Sequence, residues 1–175
     1  MIETELGTLR RSHYSDEINS SMDGTQVTVM GWVLTIRGHG NISFATLRDK
    51  NGDLSIVAKK GDCPDDIREK ISSLKAHSSI AIVGNVKASE KAPSGYEIIP
   101  TELRVFSDVE KIPPFEPTVK TVKNIDTRLE VRPIDLRRDV LQHIFKTRSL
   151  VLKSIREYFG NQNFVEINTP KMIAT

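Results

Sequence analysis

The chain has 175 residues, 38% of them hydrophobic and 27% charged, with a net charge of +2; this is an ordinary globular balance, with room for one medium domain or for a small domain and part of another. No apolar run is long enough to span a bilayer, and residues 1–5 lack a basic stretch followed by an apolar one, so neither a membrane partner nor a secretory signal is expected. The single cysteine, Cys63, excludes an internal disulfide and a multi-cysteine zinc site, and points to a reduced, cytoplasmic setting.

Charge is unevenly spread. Residues 1–105 carry 13 Lys/Arg and 14 Asp/Glu, whereas residues 106–175 carry 12 and 9. The first part is no basic magnet for phosphates. An RNA partner there is expected to be read by stacking and hydrogen bonds, with much of the backbone affinity supplied elsewhere.

In chain order, residues 26–37 alternate as a strand, with Gly31 a bulge or a point of close approach. A glycine-rich loop, Arg37-Gly38-His39-Gly40-Asn41, leads to a second strand over 42–48. Lys50-Asn51-Gly52-Asp53 predicts a tight hairpin, because Asn-Gly accepts positive φ angles. A third strand covers 54–58. Ile67, Ile71 and Leu74 then fall at i, i+4 and i+7, one face of a short helix whose start carries Asp65 and Asp66. Two more strands, 79–87 and 96–106, are joined by the turn Ala92-Pro93-Ser94-Gly95. Three strands, a helix and two strands is the order of an OB-fold, a five-stranded Greek-key barrel. An SH3-like or another small β-barrel also fits this pattern.

Pro113-Pro114-Phe115-Glu116-Pro117 reads as an extended hinge, since proline fixes φ and lacks a donor. The next regular element is expected near Asp135, as an N-cap, and runs as one long helix to Phe159 with Gly160 closing it. Val140, Ile144, Val151, Ile155 and Phe159 make an apolar stripe, widened by Leu141, Phe145 and Leu152, which needs a partner. His13, His39, His77 and His143 lack metal-ligand spacing, so no metal site is expected, and Cys63 reads as an inert loop thiol.

Several stretches occur together in a telling order. They are Arg11-Ser12-His13-Tyr14-Ser15-Asp16-Glu17-Ile18, Val29-Met30-Gly31-Trp32-Val33, Leu47-Arg48-Asp49, Asp126-Thr127-Arg128-Leu129, Asp135-Leu136-Arg137-Arg138 and Phe164-Val165-Glu166-Ile167-Asn168-Thr169-Pro170-Lys171. The set resembles the N-terminal portion of an archaeal/eukaryotic-type aspartyl-tRNA synthetase of class IIb. The last stretch, with the helix before it, is similar to the first class II motif: helix, turn, and a strand ending in proline. The resemblance implies an OB-fold anticodon-binding domain over 1–106, a hinge over 107–134, and the first helix and strand of an α+β catalytic domain over 135–175, cut short. It implies an aspartate–tRNA ligase whose partners are tRNA(Asp) and tRNA(Asn). An asparaginyl- or lysyl-tRNA synthetase, a free-standing tRNA-binding module and a protein-binding barrel stay open as alternatives. ATP and Mg²⁺ are implied for the longer protein, on later motifs. None is expected bound to this chain, which holds no catalytic residue and is expected to be inactive in tRNA charging on its own.

The resemblance also implies site residues. Phe44 would stack a splayed anticodon base, although strand alternation alone also allows it a place in the barrel core. Arg37 would stack on or hydrogen-bond a base, and Glu97 would accept from a base edge; each also fits a solvated strand position. Ser55 stands where the family usually has the glutamine that suits the uracil in the middle of the anticodon, and its hydroxyl is shorter. Leu34 and Pro93 replace a Trp and a Lys of relatives restricted to aspartate tRNA, which implies relaxed specificity; Pro93 also fits plain turn chemistry. Pro170 and Phe164 would lie in a homodimer interface near the two-fold axis.

Overall fold

Alternation decides which side of each strand faces inward. The computed structural model describes residues 2–3, 5–111, 113–115 and 124–171. It contains β1 (Ile2–Glu3), β2 (Gln26–His39), β3 (Ile42–Arg48), β4 (Asp53–Lys59), α1 (Asp65–Ser73), β5 (Ser79–Ala88) and β6 (Tyr96–Ser107). Antiparallel pairings join β2 to β3, β3 to β4, β2 to β5 and β5 to β6. One parallel pair, Ile56 with Ile98, links β4 to β6 and closes the five-stranded barrel. β1 lies parallel on β6, Ile2 opposite Leu103. This is the expected OB-fold.

The core is aliphatic. Leu47, Leu54, Ile56, Ile80, Ile82, Ile98 and Leu103 come from the strands, Ile67 and Ile71 from α1, and all are essentially inaccessible. Each such side chain contributes about 1.5–3 kcal/mol through burial. Gly31 is the expected close approach: a Cβ there would collide with the carbonyl oxygen of Arg48. The bulge itself falls two residues later, between Val33 and Thr35.

The β3–β4 hairpin is built differently from expectation. Among the described residues, neither Asn51 nor Gly52 has a positive φ. Instead the Asp49 carboxylate accepts from the N–H groups of Asn51 (2.7 Å) and Gly52 (3.1 Å), and the Asp49 N–H donates to the Gly52 carbonyl (3.0 Å). A side chain bonding its own backbone two and three residues on makes the turn without left-handed residues. Gly52 also eases the fit, since a Cβ there would sit 3.2 Å from Ser15 Oγ.

Residues 111–175 form a second unit, described by itself. It holds α2 (Ile125–Glu130), α3 (Arg132–Asp135) and α4 (Asp139–Asn161). Regular structure therefore begins inside the span expected as hinge. Asn124 caps α2, its side chain accepting from the Thr127 N–H at 3.0 Å. Asp135 is not the N-cap of the long helix; it ends α3, fully buried, and Arg138 occupies the cap position. Gly160 does not close α4 either, because the helix runs on to Asn161. Residues 164–170 form no strand, since a strand exists only by pairing and no described segment pairs with them. Glu116 and Pro117 of the expected hinge, and the terminal Thr175, lie outside the described residues.

Candidate nucleic-acid interface

The bulge in β2 creates the outer surface of interest. Val33 pairs with Leu47 and Thr35 with Thr46, so Leu34 has no register partner. One extra residue reverses the strand's phase. Val27, Val29 and Val33 point into the core before it, while Thr35 and Arg37 are exposed after it. Sequence alternation alone would have carried the inward parity past Leu34 and turned these two side chains the wrong way.

On β3, Ser43, Ala45 and Leu47 are buried, and Phe44 and Thr46 take the opposite face. Phe44 is 40% exposed, so its ring lies outside the barrel and the core alternative fails on geometry. Arg37 is its register partner on β2 and Val57 on β4. Val57 is buried yet does not belong to the core cluster, an apolar patch on the outer face beside the ring. One row along, Thr35, Thr46 and Ser55 stand side by side across the same three strands. The Thr35 hydroxyl donates to Thr46 Oγ1 at 3.0 Å. Thr35, Arg37, Phe44, Thr46 and Ser55, with Gly38 and His39, line an open cleft of ≈ 510 Å³.

Arg37, Phe44 and Ser55 thus line one cleft. Glu97 is half-buried on β6, opposite Lys87, and lies off the cleft wall. Pro93 is exposed in the β5–β6 turn, and half-buried Leu34 sits at the bulge; neither lines the cleft. Thr35 and Thr46 were not singled out from the sequence, and His39 was read only as a histidine without metal-ligand spacing. Only Thr46 had a signal, parity: it is two residues beyond Phe44 and must share its face, whereas the bulge reverses the parity of Thr35 and His39.

A buried carboxylate anchors the far end of β3. Asp49 accepts from the Ser15 N–H and hydroxyl, each at 2.7 Å, in addition to its two turn amides, and Arg11 Nη1 stands 3.7 Å away. Burial alone would raise its pKa. The hydrogen bonds from Asn51, Ser15 and Gly52 outweigh that and hold the carboxyl below its ordinary range. Tyr96 Oη donates to the Ser15 carbonyl at 3.2 Å. The Tyr14 ring is contacted by the guanidinium of Arg11 (4.3 Å) and the ammonium of Lys50 (4.1 Å). These contacts fasten the segment around residues 11–17 to the segment 47–49 as two halves of one buckle.

The second unit has a counterpart. Asp135 accepts from Arg128 Nε (3.0 Å) and Arg132 Nη1 (2.6 Å), with Arg138 Nη1 at 3.5 Å. Burial pushes its pKa up, but the bonds and charges of these arginines leave it lowered overall. Phe164 packs edge-on to Phe159, centroids 5.3 Å apart, and Arg156 Nε donates to both Glu166 oxygens, folding residues 164–166 back onto α4. Phe164 and Pro170 are both exposed. Among the described residues no group of three His, Cys, Asp or Glu is arranged to hold a metal ion, and no helix is long and apolar enough to cross a membrane.

Comparison with known proteins agrees with both units. Residues 27–106 match the OB-fold nucleic acid binding domain family, and residues 124–175 match the class II tRNA synthetases of the D, K and N group. The chain belongs to this synthetase family, with a nucleic-acid-binding OB-fold ahead of the class II segment. Among curated relatives, it is 47% identical over 166 residues to an aspartate–tRNA(Asp/Asn) ligase of Methanocaldococcus jannaschii. That match covers 95% of this chain and 38% of the relative, so the chain spans well under half of that ligase's length. The solved aspartyl-tRNA synthetase of Entamoeba histolytica superposes with a TM-score of 0.84 at 27% identity, covering 95% of this chain and 41% of that one. The asparaginyl-tRNA synthetase of Pyrococcus horikoshii, solved with asparaginyl-adenylate, gives 0.82 at 27% identity, covering 93% and 37%.

Proposed function

We propose that this chain is the anticodon-reading N-terminal part of an aspartate–tRNA ligase that serves both tRNA(Asp) and tRNA(Asn). The observation that carries the reading is the exposed Phe44 ring between Arg37 and Val57, above a row of hydroxyls, in a barrel of a nucleic-acid-binding family. A splayed base stacked on Phe44 gains about 1–3 kcal/mol without regard to sequence, and neighbouring polar groups then choose the base. Arg37 adds a planar cation suited to stacking or to a paired hydrogen bond. Leu34 shapes the strand that presents this surface, while Glu97 and Pro93 contact RNA lying beyond the cleft. The Asp/Asn specificity carried in the name of the Methanocaldococcus jannaschii relative supports the double acceptance.

In this reading the whole protein works in the cytoplasm. ATP and Mg²⁺ take part in forming the aminoacyl-adenylate, and two copies pair through the exposed stripe of α4 with Phe164 and Pro170. Sedimentation of the chain as a concentration-dependent dimer supports that pairing, and a monomer at every concentration refutes it.

RNA binding is tested with anticodon stem-loops of tRNA(Asp), tRNA(Asn) and an unrelated tRNA. The expected result is similar affinity for the first two, weak binding of the third, and a loss for Phe44→Ala. Equal binding of all three loops, or an unaltered Phe44→Ala variant, refutes the reading.

A further inference from the structure

The family resemblance leaves a gap at Ser55, where an amide would reach a base edge and a hydroxyl falls short. What surrounds Ser55 fills that gap. In cross-strand register it stands beside Thr46, which stands beside Thr35. All three hydroxyls line the cleft with Phe44. Thr46 lies two residues from Phe44 on the same strand and face, about 6–7 Å along it. A base stacked on Phe44 meets different surroundings in each direction. Toward β4 it meets the aliphatic Val57, toward the hairpin tip Ile42, and toward β2 the fixed positive charge of Arg37. Along β3, toward Thr46, it meets a row of hydroxyls that both donate and accept; the other such group lining the cleft, His39, lies at the opposite end, in register with Ile42.

We propose that Thr46, supported by Thr35 and Ser55, is the specificity-determining residue for the base stacked on Phe44, and that these hydroxyls together read a pyrimidine edge in place of a single long amide. The inference rests on the function proposed above. A uracil edge alternates carbonyl acceptors with the N3–H donor. A hydroxyl rotates to satisfy either kind, and Thr46 Oγ1, which accepts from the Thr35 hydroxyl, keeps its second lone pair for the uracil N3–H and its own hydrogen for a neighbouring acceptor. A row of short hydroxyls also tolerates a cytosine edge, whose donor and acceptor are exchanged, better than a fixed amide does. The consequence is a preference for a pyrimidine through its edge, with mild discrimination between the two pyrimidines.

The test uses the whole chain and stem-loops that differ only at the middle anticodon base: uracil, N3-methyluracil, cytosine and adenine. Thr46→Val keeps the branched shape and removes the hydroxyl. It is expected to weaken the uracil loop about three- to tenfold, the size of one neutral hydrogen bond. Methylation of N3 is expected to weaken the native chain and to add little in Thr46→Val, because both changes remove the same bond. Thr46→Ser retains the hydroxyl and is expected to hold native affinity, which separates chemistry from packing. If Phe44→Ala weakens binding but Thr46→Val binds as the native chain does, or if its loss simply adds to that of N3-methylation, the hydroxyl row is not the reader and only this inference falls. If Phe44→Ala binds as the native chain does, the anticodon reading falls and takes this inference with it.

Discussion

Ile56 in the barrel and Ile155 on α4 are the same side chain in opposite circumstances. Ile56 is 1% exposed and Ile155 48%. Both sit on well-formed apolar faces of regular elements. The barrel strands curve until each face finds the others, and α1 adds Ile67 and Ile71 to the same cluster. On α4 the stripe is just as regular, yet Val140, Ile144, Val151 and Ile155 face solvent and only Leu141 is buried. Amphipathic pattern is therefore the means of burial and not its guarantee; a stripe stabilises a fold only when a second surface meets it. The difference separates a unit stable in itself from one whose apolar face is available for association.

The two buried carboxylates offer the strongest way to break that comparison. Asp49→Ala strips partners from the Ser15, Asn51 and Gly52 donors, and is expected to lower barrel stability by about 3–5 kcal/mol in urea denaturation. Asp135→Ala should leave the barrel transition where it is; a matching shift would mean the units are not independent. The sign of the pH effect follows from the lowered pKa of Asp49. Its stabilisation is full above the ordinary carboxylate pKa and is lost as pH falls through the lower native value. Asp49→Asn should accordingly flatten the acid limb of the stability profile. An unchanged acid limb would show that other carboxylates govern it.

Aliphatic truncation sharpens the comparison further. Ile56→Ala should cost about 2–5 kcal/mol, through lost burial and a cavity. Ile155→Ala, in dilute monomer, should stay within about 0.5 kcal/mol, the range of surface substitutions. Equal losses at the two positions would mean that α4 is covered in solution. Between these extremes, Phe44→Ala is expected to leave the melting curve nearly unchanged and to weaken stem-loop binding by about 1–3 kcal/mol. A large loss of stability instead would return Phe44 to a packing role.

Much of the fold was legible because period and parity are local. β2 to β6 and α1 lie within two residues of expectation, since alternation and i, i+4 spacing report directly on burial, whereas the two-residue β1 was not foreseen because it exists only by pairing with β6. The hairpin at Asn51-Gly52 was legible in place and not in kind: the deciding acceptor, Asp49, belongs to the preceding strand's end and is held by Ser15, far away in sequence. Asp135 reads as a cap from its neighbours on the chain, but three arginines brought around it made it a buried charge. The candidate site divides the same way. Phe44, Arg37 and Ser55 share the cleft, and Thr46 follows from Phe44 by parity, whereas Thr35 joins them only through the bulge that sets its strand in register.

The order of strands and helix, the aliphatic core and the amphipathic stripe of α4 were determined by the sequence alone, because each depends on side chains a few positions apart. Which face Phe44 takes, the reversal of phase at Leu34, the union of Ser15 with Asp49 and the row of hydroxyls beside Phe44 were decided by tertiary structure. Each of these depends on which residue of a distant strand arrives opposite. That is set by closure of the whole barrel, which no local stretch encodes.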